Sequence, residues 1–222
     1  MENENKQTEQ LSEIDFSFLA KESSQKYFAE TDFALRQGRH IQNNDIDKQL
    51  YSYIESYFDE LKLYYQFLLG MVLKEDYFDT AKYYYLDFEE ESYGKFGSQR
   101  TKVINDKYLL IGILFLNLYN EKHFEVKRTN WNEITEIITE KEKKDLWLRL
   151  LFPDVRNSQT ASEWKRVKGI FKNTIDEFAE LGWVKIIDKQ ELEIEINPSI
   201  YRIVKLYPTE IENISLLNQK NG

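Results

Sequence analysis

Residues 162 to 196 read SEWKRVKGIFKNTIDEFAELGWVKIIDKQELEIEI, and their periodicity changes once, at Gly182. Before that glycine, Trp164, Val167, Phe171, Ile175 and Phe178 recur at spacings of three and four, so a 100° step per residue lines them up as one apolar stripe. Ser162 with Glu163 supplies a start signal for this helix, the longest of the second half. After Gly182, Trp183 to Ile187 and Leu192 to Ile196 are rich in β-branched residues and flank the polar turn Asp188 to Glu191, which predicts a hairpin. A helix running directly into a two-stranded ribbon is the closing half of a winged helix.

Outward from this stretch, the second half continues the pattern. Tyr108 to Tyr119 is almost continuously apolar, as suits a helix buried on several sides. Thr129 or Asn130 can cap a helix from Trp131 to Thr139, and Asp145 to Phe152 reads as helix until Pro153. The first half has the same order. Phe16, Leu19, Tyr27, Phe28, Phe33 and Leu35 predict one or two helices ended by Gly38. Asn44 and Asp45 can cap an amphipathic helix carrying Ile46, Leu50, Tyr53, Ile54, Tyr57, Phe58 and Leu61. An apolar run then leads to Gly70, and Met71 to Lys74 and Lys82 to Phe88 predict strands around Asp76 to Thr80. The segment Glu89 to Ser98, with consecutive glutamates and two glycines, is the candidate linker. The expected fold class is therefore α+β and mostly helical: two tandem winged-helix domains with small β-hairpin wings, over residues 1–95 and 99–222. No internal sequence repeat supports the duplication, which rests on the order of elements.

Composition narrows the function. Apolar residues make up 41% and charged residues 31%, enough for real cores under a soluble surface. The absence of Cys removes disulfides, thiolate metal sites and cysteine nucleophiles together. Met1 to Gln10 is polar, with no apolar segment of signal-peptide type, and no run of about eighteen apolar residues occurs, so a cytoplasmic protein without membrane association is expected. No Gly-rich phosphate loop followed by Lys-Ser or Lys-Thr is present, and His40 and His123 are isolated. The acidic run Asp87 to Glu91 reads as solvated linker before it reads as a Mg²⁺ site. A non-enzyme without a cofactor is the expectation. The net charge of −9 is unevenly spread: 10 Lys+Arg face 20 Asp+Glu through Ser98, against 20 and 19 beyond it. An acidic first half suits protein partners, and a near-neutral second half can hold a basic face.

Three constellations are candidates for function, each with a plainer reading beside it. Lys165, Lys168 and Lys172 share one face of the long helix, with Arg166 nearby and Lys185 and Lys189 on the following ribbon. Such a face can neutralise phosphates without reading bases, or it can be an ordinary solvated face. In Ala34-Leu35-Arg36-Gln37-Gly38-Arg39-His40-Ile41, Gly38 fits a left-handed helix end, and Arg36, Arg39 and His40 either meet the exposed carbonyls there or hold an anion or partner carboxylate. The stripe Tyr53, Tyr57 and Tyr64 with Phe58 and Phe67 is either core or dimer seam, and the Tyr83-Tyr84-Tyr85 cluster with Tyr77, Phe78 and Tyr93 has mainly acidic neighbours. Those neighbours favour core packing or a dimer or protein interface over base stacking.

The segment Ala34 to Ile41, the apolar helix Lys107 to Tyr119, and Lys165-Arg166-Val167 through Ala179-Glu180-Leu181-Gly182-Trp183-Val184 with Leu192 to Tyr201 behind it resemble the MukE and MksE subunits of bacterial condensins. The resemblance implies a homodimeric tandem winged-helix scaffold. It would clasp an extended segment of a kleisin (MukF- or MksF-like), which bridges the heads of an SMC ATPase (MukB- or MksB-like). ATP hydrolysis would belong to that partner, and the scaffold would help hold double-stranded DNA without sequence specificity, on the nucleoid. On this reading Arg36, Gly38, Arg39 and His40 form the family motif or a partner contact, and Tyr53, Tyr57, Phe58, Tyr64 and Tyr84 form dimer or kleisin surface. Lys165, Arg166, Lys168, Lys172, Lys185 and Lys189 would touch DNA. The sequence lacks a long acidic tail after the last ribbon, which favours MksE over MukE and leaves either chromosome condensation and segregation or plasmid defence as the task. The competing expectation is a stand-alone dimeric winged-helix transcription regulator or replication initiator. Lysines read bases less well than Arg, Asn or Gln, which ranks it second.

Overall fold

The computed structural model describes residues 15–88, 104–121, 127–140, 144–152 and 159–212. The chain divides into two compact units, Met1–Lys102 and Val103–Gly222. Both are mostly helical with one small antiparallel sheet each. The expected linker Glu89 to Ser98 lies outside the described residues, as do Tyr93, His123 and Pro153.

In the first unit a 3-10 turn, Ser17–Ala20, leads into α1, Glu22–Arg36. Gly38 ends α1 in the left-handed region at φ 83. The Gly38 and Arg39 amides donate to the carbonyls of Leu35 and Ala34, both at 3.0 Å, which satisfies two carbonyls the helix leaves open. A two-residue strand, β1 (Ile41–Gln42), follows. The helix expected to run unbroken from Ile46 to Leu61 is instead two: α2, Lys48–Ser56, and α3, Phe58–Tyr64, split at Tyr57 with φ −133 and ψ 31. Asn44 acts where expected, its Oδ1 accepting from the amides of Ile46 and Asp47 at 3.0 and 2.8 Å, but it closes a turn ahead of α2, which itself begins at Lys48. The break lets α3 turn its own apolar face, centred on Leu61, onto the core that Leu50, Tyr53 and Ile54 of α2 already occupy. A wide π-type turn, Tyr65–Leu69, ends at left-handed Gly70. The hairpin then pairs β2 (Met71–Phe78) with β3 (Ala81–Phe88). It is longer than the sequence pattern indicated because Asp79 at φ 53 closes a turn of two residues. β1 adds to β3 through Ile41↔Tyr84 and Gln42↔Tyr83, giving strand order β1-β3-β2.

The second unit repeats that plan. Its first helix, α4 (Asp106–Glu121), buries residues on nearly every side. Strand β4 (Arg128–Thr129) follows, then α5 (Trp131–Glu140), which Asn130 caps by accepting from the Glu133 amide at 3.0 Å. Next come α6 (Lys144–Leu151) and α7 (Ala161–Glu180). The hairpin of β5 (Val184–Asp188) and β6 (Glu193–Ile196) takes β4 onto β6, so the strand order is β4-β6-β5. In both units, then, a helix, a two-residue strand, further helices and a hairpin follow in turn, and the short strand pairs with the second strand of the hairpin. Beyond the second hairpin a 3-10 turn (Pro198–Tyr201) and α8 (Arg202–Leu206) pack back on α4, an addition that the apolar pattern did not announce.

Candidate nucleic-acid interface

Helix α7 is anchored at both ends by backbone chemistry. Its cap is Thr160, not Ser162: the Glu163 amide donates to Thr160 Oγ1 at 3.3 Å, and the Thr160 amide donates to Glu163 Oε2 at 2.7 Å, a reciprocal pair that satisfies two otherwise open donors. At the other end Gly182, at φ 76, repeats the Gly38 arrangement, with the Trp183 amide donating to the Phe178 carbonyl at 2.8 Å. The Trp183 and Phe178 rings close the turn at 5.0 Å. Between these anchors Val167, Phe171, Ile175 and Phe178 are buried, while Trp164 is partly covered by Trp131 and Phe152.

With that stripe fixed inward, Lys165, Lys168 and Lys172 emerge on one side, and the turn of the second hairpin adds Lys189, Gln190 and Leu192. Together with Gly169 they line an open groove of about 400 Å³. The Lys168 ammonium lies over the Trp131 ring at 5.7 Å. The Lys189 ammonium is 4.0 Å from the Asp176 carboxylate. Arg166 and Lys185 are not part of this lining. Arg166 is exposed on α7, and Lys185 sits opposite Glu195 in the β5–β6 register. Four of the six cations expected at DNA are therefore collected in one place, and two are not.

The other candidate residues are engaged within the first unit. Arg39 grips Asp47 with Nε to Oδ1 at 2.9 Å and a second nitrogen to Oδ2 at 3.3 Å. The Asp47 side chain is 2% exposed and that of Arg39 19%, so this pair ties the start of α2 to the end of α1 from inside. Burial pushes the Asp47 carboxyl above its ordinary range, and the Arg39 guanidinium pulls it part of the way back. His40 is buried and stacks on Tyr85 at 5.2 Å. Arg36 is half exposed and bonds Asp32 through Nε at 2.9 Å, one turn back on α1. Of the two readings open for this segment, the geometry gives the helix end for Gly38 and an internal ion pair for Arg39.

For the aromatic set, where the sequence leaves core and interface both open, burial separates the members. Tyr53 and Tyr84 are 3% and 1% exposed and belong to the core rather than to an outer surface. The Tyr53 hydroxyl donates to Ser24 Oγ at 2.9 Å, and Tyr57 shares a 2.8 Å hydrogen bond with Ser23. Phe58 packs on Tyr84 and Tyr64 on Phe28. The apolar residues that do face outward in this unit include Phe33, Leu63, Phe67 and Leu68. Phe33, placed in the buried pattern by spacing, is 63% exposed because the buried phase of α1 runs through Ser24, Thr31 and Leu35. A further cluster escaped the sequence reading: Lys82 bonds Glu55 at 2.9 Å and lies over the Tyr84 ring at 5.1 Å. The Lys82 hydrogen bond holds the Glu55 carboxyl below its usual range, and burial pushes Tyr51 up to about 12. Its members, on α2 and β3, come together only when the sheet docks on the helix.

Among the described residues no group of three or more His, Asp or Glu is arranged to hold a metal ion, and no helix is long and apolar enough to cross a membrane. Compared with known families, residues 26–207 match the one described as condensin complex protein MksE. The chain belongs to the MksE family. The match spans both compact units, so this MksE protein is a condensin complex subunit across the helical core of each. No curated protein matches the sequence.

Proposed function

We propose that this MksE protein is a non-catalytic, homodimeric scaffold of a bacterial SMC condensin. It binds the kleisin through its acidic first unit and holds double-stranded DNA without sequence specificity along the lysine groove of its second. The repeated order of helix, short strand, helices and hairpin, with the same strand order in both units, supports a tandem winged-helix architecture with one domain per unit. ATP hydrolysis then belongs to the SMC partner, and the protein works in the cytoplasm on the nucleoid. Chromosome condensation and segregation, or defence against plasmids, is the task such a complex carries out.

The observation that carries the DNA part is the gathering of Lys165, Lys168, Lys172 and Lys189 on one open groove in a chain whose net charge is −9. Each phosphate neutralised by a cation releases counterions and lowers the salt slope of log K by about 0.9. Lysine point charges serve that purpose without reading bases. The triple variant Lys165→Glu/Lys168→Glu/Lys172→Glu should weaken DNA retention by the assembled complex and flatten its salt slope by about 2.7, the sum over three phosphate contacts. Kleisin binding should be intact. Unchanged retention would mean that these residues are merely solvated. Affinity purification from the native cell tests the scaffold part: a kleisin and an SMC protein should come down together, and recovery of the chain alone contradicts it.

A further inference from the structure

Glycine is the least favourable helix residue after proline, so one in the middle of a helix calls for a reason. Gly112 in α4 has one: a Cβ there would collide with Ile203 Cδ1 and approach the Phe178 ring to 3.2 Å, so a side chain at that position would oblige both neighbours to shift. Gly169, near the middle of α7, has no such reason among the described residues, since a Cβ added there would meet nothing within 4 Å. It lies instead on the lining of the groove, among Lys165, Lys168, Lys172 and Lys189.

We propose that Gly169 is a positioning residue of this groove, the point at which the phosphodiester backbone of a DNA strand comes into contact with the surface of α7. The inference rests on the DNA-binding reading above and deepens it. Without a side chain at 169 the groove floor lies at the helix backbone, so a strand can settle deep enough for ammonium groups on both sides to reach its phosphates. From Lys165 to Lys172 the helix rises about 10 Å, the axial length of roughly three phosphates of one strand. The charged residues of the lining are all lysines, point charges that can hold phosphates without fixing a bidentate geometry.

The test uses the full-length protein and a fluorescent mixed-sequence duplex, comparing wild type with Gly169→Ala, Gly169→Leu and the triple lysine-to-glutamate variant across a salt series, with thermal melts in parallel. Gly169→Leu should bind DNA roughly tenfold more weakly with a flatter salt slope, Gly169→Ala should fall between it and wild type, and neither should melt below wild type. A lowered melting temperature in both Gly169 variants would give the glycine a packing role and overturn the inference. If both variants bind as wild type does while the triple variant has lost binding, the inference fails and the DNA reading stands. If the triple variant binds normally, the DNA reading itself fails. Poly-glutamate is the remaining probe: should Gly169→Leu weaken its binding and spare that of DNA, the groove takes an acidic chain and the proposal is overturned.

Discussion

Replacing Arg39 by Ala leaves the Asp47 carboxylate, 2% exposed, without its guanidinium. Removing one partner of a buried, doubly bonded pair costs about 3–5 kcal/mol, because the remaining charge stays uncompensated in a poor dielectric. Arg39 is itself 19% exposed, so water reaches that end of the pair and the lower figure of about 3 kcal/mol is expected at pH 7. The sign of the pH dependence follows from the carboxyl. Burial already raises its pKa above the ordinary 3.8, and without Arg39 it rises further. The folded variant then keeps a proton that the unfolded chain releases, so its stability falls as pH climbs from about 3.8 through the folded pKa, by at most about 1.4 kcal/mol per pH unit. The deficit relative to wild type should be small near pH 4 and full at pH 7. Urea unfolding followed by far-UV circular dichroism measures it. All four tryptophans, at 131, 147, 164 and 183, lie in the second half, so their fluorescence reports separately on that half. The double variant Arg39→Met/Asp47→Leu, which removes both charges, should recover most of the loss. A deficit below about 0.5 kcal/mol at pH 7, the range of ordinary surface changes, would refute the assignment of this pair as internal structure, as would a deficit that does not vary with pH.

Other substitutions test individual joints. Gly112→Ala forces a methyl against Ile203 and Phe178 at a cost of about 1–3 kcal/mol, which the better helix propensity of alanine offsets by about 1 kcal/mol, so denaturant titration should show a net loss of up to about 2 kcal/mol. Thr160→Ala removes the reciprocal cap of α7 and should cost about 1 kcal/mol, read from tryptophan fluorescence on unfolding. The Glu55 carboxyl is held low by Lys82, so its stabilising effect is present above its ordinary value of 4.5 and is lost as pH falls through the folded pKa. Acid titrations of wild type and Glu55→Gln should therefore converge at low pH and separate above it; parallel curves would show that the ion pair contributes nothing.

Local rules made much of the molecule legible. Gly38 and Gly182 end their helices because each is followed by a residue whose amide can reach back to the carbonyl five positions earlier, and a positive φ between the two is easy only for glycine. The stripe Val167, Phe171, Ile175 and Phe178 was visible for the same kind of reason, since one helical period decides which side is buried and therefore which side the lysines take. Where spacing misled, tertiary packing was the cause. The pattern from Ile46 to Leu61 continues smoothly through Tyr57, yet the chain breaks there, and Leu61 of the second helix joins the core that Leu50, Tyr53 and Ile54 of the first occupy.

Arg39 and His40 read either as cations meeting the helix-end carbonyls or as cations available to a partner, and neither reading names Asp47 or Tyr85, which reach them only after the turn and the sheet have formed. The same holds for Tyr53 and Tyr84, whose buried positions depend on the hairpin closing over α2. Periodicity is a property of one segment and can be read from it. Burial, pairing and the joining of Lys189 to a helix some twenty residues away belong to segments meeting, and only the folded chain decides which of them meet.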